Sequence, residues 1–118
     1  MDFNSFVSGF TEGEGCFCIS FNRRSKMKTG IEVRPSFSIS QNKRNLELLK
    51  LIDQHFKCGS IRFSKSDQNY KFEVRSIREL VKIIIPFFDK YPLLGIKKND
   101  FTNFKEVCTM IHQNQHLN

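Results

Sequence analysis

The sequence has no alanine and no tryptophan, and only two tyrosines beside thirteen phenylalanines. The residues used in their place, Phe, Lys, Asn and Ile, are those of AT-rich codons, which points to an AT-rich genome such as an organelle's. No run of about 18 apolar residues is present, so no bilayer span is expected. The N-terminus lacks a basic segment followed by an apolar one, and no secretory signal is read there. No linker or low-complexity block divides the 118 residues, which are enough for one core, and a single domain over 1–118 is the economical reading. The four cysteines, Cys16, Cys18, Cys58 and Cys108, form no CxxC pair and no small-scaffold disulfide pattern. Cys16 and Cys18 with His112 and His116 make a weak zinc candidate, and reduced thiols with a polar histidine tail are the simpler account.

What is present in excess is positive charge, with a formal balance of +7. Such an excess favours a polyanionic partner, nucleic acid first and an anionic membrane surface second.

Hydrophobic spacing supplies the elements. Phe3, Phe6, Val7 and Phe10 recur at helical intervals, with Asp2 or Asn4 as cap and Gly13 and Gly15 as the stop. Strict alternation follows over Cys16–Asn22 and again over Ile31–Ser40, joined by a basic loop: a long hairpin. Asn42 or Asn45 opens a second helix carrying Leu46, Leu48, Leu49, Ile52 and Phe56, which Cys58-Gly59 ends. A second hairpin spans Ser60–Ser64 and Tyr70–Arg75. Ser76-x-x-Glu79 is a capping box before a third apolar helix, which Tyr91-Pro92 breaks. Lys97 to Asp100 leads into a last helix with Phe101, Phe104, Val107, Cys108 and Ile111, and the polar tail after about 112 is expected to fray. The order is α-β-β-α-β-β-α-α, an α+β chain.

Four alternating strands imply a sheet with one face covered by helices and one open face. The open face carries Cys18, Ser20, Asn22, Glu32, Arg34, Ser36, Ser38, Ser40, Ser60, Arg62, Ser64, Asn69, Lys71, Glu73 and Arg75. Arg23, Arg24, Lys26, Lys28 and Lys65 extend it through the loops. Small hydroxyls, amides and long cations suit contacts to base edges and phosphates. The shortage of aromatics there argues against a base-stacking platform for single strands. An ordinary solvated face is the plain alternative, and the clustering of cations tips the reading toward a duplex. A strand of about 10 residues spans roughly 33 Å, the length of about ten base pairs.

The segment Thr11-Glu12-Gly13-Glu14-Gly15 closes the first helix. Gly9 and Gly13 lie four apart on one helix face, where another helix can approach closely. Glu14 falls at the negative end of the helix dipole, where a carboxylate is disfavoured unless a cation is near. A divalent metal removes that conflict, but one carboxylate cannot cage magnesium. Two carboxylates from two close-packed helices, with water and phosphate oxygens, satisfy its octahedral demand.

"VSGFTEGEG" (Val7 to Gly15) resembles the nine-residue motif of the LAGLIDADG homing endonucleases, with Val7, Ser8 and Thr11 departing from the name motif. The following Cys-Phe and the order of elements resemble the family to about Ile111. The resemblance implies the αββαββα fold: a four-stranded antiparallel saddle covered by helices on one face. It implies a divalent-metal-dependent DNA endonuclease, with Mg2+ as cofactor and Mn2+ as substitute. It further implies a homodimer, as in single-motif members, on a pseudo-palindromic duplex of about 20 base pairs. By the same resemblance Glu14 ligates metal with the Gly13 carbonyl, and Glu12 is structural. Gln41 orders water at the scissile phosphate, and Lys97 is the basic catalytic residue, with Lys98 its neighbouring candidate. Phe6, Gly9, Phe10 and Gly13 face the partner helix. The alternatives are an RNA maturase acting on its host intron, a non-cleaving DNA-binding derivative, and one half of a split enzyme. An intracellular site, organellar or bacterial, is expected, with no membrane partner.

Overall fold

The computed structural model describes residues 2–23 and 30–117, without the side chains of 116 and 117. Arg24, Lys26 and Lys28, expected on the nucleic-acid face, lie outside the described residues. Helix α1 is Phe3–Glu14, capped by Asp2, whose carboxylate accepts from the Asn4 N–H at 3.1 Å. Gly13 is thus inside the helix, and only Gly15 ends it. Strands β1 (Gly15–Arg23) and β2 (Ile31–Gln41) pair antiparallel from Gly15↔Ile39 to Arg23↔Ile31. A short 3-10 turn, Lys43–Asn45, is capped by Asn42 and leads into α2, Leu46–Phe56. Strands β3 (Ser60–Ser64) and β4 (Asn69–Val74) follow.

The sheet order is β1-β2-β4-β3, all neighbours antiparallel. β4 pairs with β2 only from Phe37 to Gln41. Pro35 therefore stands where β2 has one neighbour, an edge position in which a strand tolerates proline. Two glycines are fixed by close approach. A Cβ on Gly15 would lie 2.5 Å from Thr11 Cγ2, and one on Gly59, at φ 76, 2.6 Å from the Glu73 carbonyl.

Helix α3 comprises Ile77–Glu79, a π segment Leu80–Ile84, and Ile85–Lys90. Its N-terminus is capped by Ser76, which accepts from the Glu79 N–H. Pro86 follows the widened turn. It has no N–H to donate and its ring crowds the preceding turn, so the helix loosens where periodicity alone predicts a regular one. Helix α4 is Ile96–Leu117. It begins earlier and ends later than the sequence suggests, so Lys97 lies in its first turn and the polar tail is helical.

The helices cover the apolar face. Phe17 packs on Phe37, Phe88, Phe101 and Phe104 with ring centroids 5.1 to 5.4 Å apart. Phe37, Ile39, Phe72, Leu49, Ile52, Leu80, Ile84 and Phe104 are fully buried around them. At the far end of the first hairpin the cover thins, and Phe21 and Ile31 are exposed. Cys58 and Cys108 are buried, and burial pushes their thiols up to about 11 and about 12.

Candidate functional site

Helix α1 presents three faces. Val7, Ser8 and Thr11 are buried, while Ser5, Gly9 and Gly13 form an exposed line at four-residue spacing. A Cβ at Gly9 or Gly13 would meet nothing within 4 Å, so that line is an open seam. Phe6 and Phe10 stack beside it, half-buried, with centroids 5.6 Å apart. The four residues expected at a partner helix therefore share an accessible flank.

A flank that meets the buried face at Ser8 carries Asn4, Ser8 and Glu12, one polar residue per turn. Each binds the segment between α3 and α4. Asn4 Nδ2 donates to the Tyr91 hydroxyl at 3.0 Å, and the Ser8 hydroxyl to the Tyr91 carbonyl at 2.8 Å. Glu12 Oε1 accepts the backbone N–H groups of Leu94 and Gly95 at 2.6 and 3.2 Å. These N–H groups lie at the start of α4, where a helix has unpaired donors and a positive dipole end. In return Lys97 Nζ donates to the Glu12 carbonyl at 3.3 Å, at the negative end of α1. The two helix ends cap each other. Asn4 and Ser8 escaped sequence reasoning, although their spacing with Glu12 on a largely apolar helix is a detectable polar stripe.

Glu14 is the last residue of α1 and is exposed. Among the described residues its carboxylate has no hydrogen-bond or ion-pair partner. Lys97 is at the same helix end, so the structure brings these two predicted residues to one locality. Gln41 is different. It is in phase with Phe37 and Ile39, pairs with Tyr70, and is only 9% exposed. Its Nε2 donates to the Ser40 carbonyl at 2.8 Å and its Oε1 accepts from Asn45 Nδ2 at 2.7 Å. Both ends of its amide are engaged within the protein, a lock on the 3-10 turn.

Metal ligation follows from donor chemistry. Among the described residues no group of three or more His, Cys, Asp or Glu could hold a metal ion. Glu14 offers an exposed carboxylate, a hard oxygen donor suited to magnesium, and a site built on it needs further oxygen donors from outside the chain.

The polar face of the sheet starts beside Glu14. Its residues form rows across the strands: Cys16, Ser38, Glu73 and Ser60 in one, and Ser40, Lys71 and Arg62 in the next. Cys18 and Ser36, Ser20 and Arg34, and Asn22 and Glu32 are rungs of the first hairpin, and Ser64 pairs with Asn69. Glu73, 9% exposed, holds both Arg62 and Arg75, the latter at 3.0 Å. Glu32 holds Arg34 at 3.0 Å. The two carboxylates fix the direction of long side chains that would otherwise roam. Arg23 and Lys65 are exposed at the rim. A groove of about 490 Å³ opens where β2 outruns β4, lined by Cys18, Ser20, Asn22, Arg34, Ser36, Glu73 and Arg75, with Ile77 and Ile111 at its wall.

Comparison with known proteins gives the same picture. A family model described as LAGLIDADG endonuclease matches residues 7–108. The "probable intron-encoded endonuclease 2" of Neurospora crassa is 37% identical over 113 residues, covering 96% of this chain and 24% of that protein. The homing endonuclease I-TnaI superposes with a TM-score of 0.88 at 36% identity, over 98% of this chain and 77% of that one. I-LtrWI, a LAGLIDADG homing endonuclease bound to its target DNA, superposes with a TM-score of 0.90 at 36% identity, over 98% of this chain and 39% of that one. The chain spans 24% to 40% of the length of the curated relatives it matches first. No helix among the described residues is long and apolar enough to cross a membrane.

Proposed function

This chain belongs to the LAGLIDADG endonuclease family, with the fold of its solved members, and from that premise we propose that it is a homing-type DNA endonuclease acting as a pair of lobes on a long duplex. The observation that carries the reading is Glu14: an exposed, unpartnered carboxylate at a helix C-terminus, beside Lys97 and at the head of a cationic sheet face. A second copy packed along the Ser5-Gly9-Gly13 seam, both helices pointing the same way, brings a second Glu14 to the first. We read that second copy as an identical chain, with Phe6 and Phe10 flanking the contact, on a pseudo-palindromic site.

A divalent ion, Mg2+ or Mn2+, would be held by Glu14 carboxylates, the Gly13 carbonyl, water and DNA phosphate oxygens. When bound it would supply an activated water and neutralise charge on the scissile phosphate. Lys97 places a cation where the leaving oxygen gains charge. Gln41 orders water once its amide yields Asn45. The rows from Ser20 to Arg75 lie in the groove, reading base edges and gripping phosphates. Relatives named as intron-encoded make an organellar or bacterial gene the expected source.

The test is cleavage of a randomised duplex library in magnesium by this chain and by Glu14→Gln, with the ends sequenced. Double-strand cuts at one pseudo-palindromic site, absent in Glu14→Gln while binding persists, are expected. Selective binding without cutting by the unaltered chain would leave a non-cleaving DNA-binding derivative. Neither binding nor cutting would redirect the search to intron RNA or a different partner chain.

A further inference from the structure

Glu12 and Lys97 are 85 residues apart and cap each other's helices. The Glu12 carboxylate takes the Leu94 and Gly95 N–H groups, and the Lys97 ammonium takes the Glu12 carbonyl. Gly95 lets the strand of backbone lie against the carboxylate, since a Cβ there would stand 3.2 Å from Glu12 Oε2. One residue thus contributes its side chain to the start of α4 and its backbone to the amine of Lys97. The result fixes a lysine, a side chain with ordinarily free rotamers, at the end of the helix that bears Glu14.

From this geometry we propose that Glu12 is a positioning residue for the reaction, acting through Lys97 rather than on DNA or metal. The proposal rests on the reading of Lys97 as a participant in cleavage. Glu12 makes no use of its charge at the scissile bond; it sets where α4 begins, and so where Lys97 stands. Asn4 and Ser8 guide the same segment onto α1 further back, at Tyr91, and are too far along the helix to set Lys97 themselves. A neutral glutamine at position 12 retains an acceptor oxygen in the same place, whereas alanine removes it.

A double-mutant cycle separates this from a general structural role. Single-turnover cleavage, duplex affinity and melting temperature are measured for Glu12→Ala, Glu12→Gln, Lys97→Ala and the Glu12→Ala/Lys97→Ala pair. Misplacing a reacting group by an ångström costs on the order of 100-fold. The expected result is a loss of about that size in Glu12→Ala, recovery in Glu12→Gln to within about threefold, and a double variant no slower than Lys97→Ala alone, with affinity retained. Independent, multiplicative losses would overturn the proposal, as would wild-type cutting by Glu12→Ala or a loss that only follows unfolding. Hydrogen exchange at the Leu94 and Gly95 amides provides the arm that needs no cleavage. If the unaltered chain cuts nothing, the endonuclease reading fails on its own. Selective loss of protection at those two amides in Glu12→Ala then still supports the clamp, and unchanged protection overturns it.

Discussion

Gly9 and Gly13 are conspicuous because glycine weakens a helix. Replacing a helix-interior glycine by alanine stabilises by about 1 kcal/mol when nothing obstructs the new methyl. Nothing does at Gly9, where the space around a Cβ is empty to 4 Å. Gly9→Ala should therefore raise the melting temperature of the dissociated chain. Gly9→Leu, with a larger side chain on the seam, should leave the fold intact yet shift sedimentation from dimer to monomer. A Gly9→Leu chain that still sediments as a dimer would move the contact off this seam. Glycine spacing was legible in the sequence because four residues define a helix face whatever surrounds it. Gln41 was not legible in the same way. Its amide is bound to Asn45 and Ser40, partners that no periodicity reveals, so its engagement within the protein emerges only in the folded structure.

At the scale of elements, strands and the first two helices follow from alternation and helical spacing, because one buried face imposes each period. The errors fall where an element is ended or begun by something distant. Helix α4 has no conventional cap in its own sequence; its cap is the Glu12 carboxylate, 82 residues before Leu94. Pro86 within α3 did carry a local signal, and the answer to it was a π turn rather than a break. The sheet is joined to its helices by stacked and edge-on phenylalanines, and Phe37 touches four of them: Phe17, Phe56, Phe72 and Phe88. Removing its ring in Phe37→Ala should cost about 3–5 kcal/mol, lowering the thermal midpoint by roughly 10–25 °C. A drop of only a few degrees would mean that α3 and the sheet can close over the hole.

For the whole molecule, the excess positive charge and the polar face of the sheet were legible in the sequence, because charge and alternation are both written residue by residue. The ion pairs that organise this surface were not foretold, since Arg62, Glu73 and Arg75 come together only through the β2-β4-β3 register. Glu73 holds two arginines in ion pairs on the sheet face. Glu73→Gln should free them for phosphates and steepen the salt dependence of binding to a non-target duplex by about 1 to 2 in log–log slope. An unchanged slope would mean that Arg62 and Arg75 reach phosphate while still paired. Selectivity for the true target should decline in the same variant, because two long cations lose their fixed direction.

The mutual capping of α1 and α4 also has a history within each molecule's life. The groups it joins are 82 to 85 positions apart. At a synthesis rate of about 5–20 residues per second, Glu14 emerges roughly 4–17 seconds before Lys97. During that interval the α1 segment has neither the amine for its end nor the segment that lies along its polar face, and a 12-residue helix alone is marginal in water. The acid is made first and its neighbour last, so a polypeptide still on the ribosome, or one terminated early, carries a motif helix that is complete in sequence and incomplete in structure. Synthesis order therefore acts as a timer on the site: it closes only when nearly the whole of the described fold has been made.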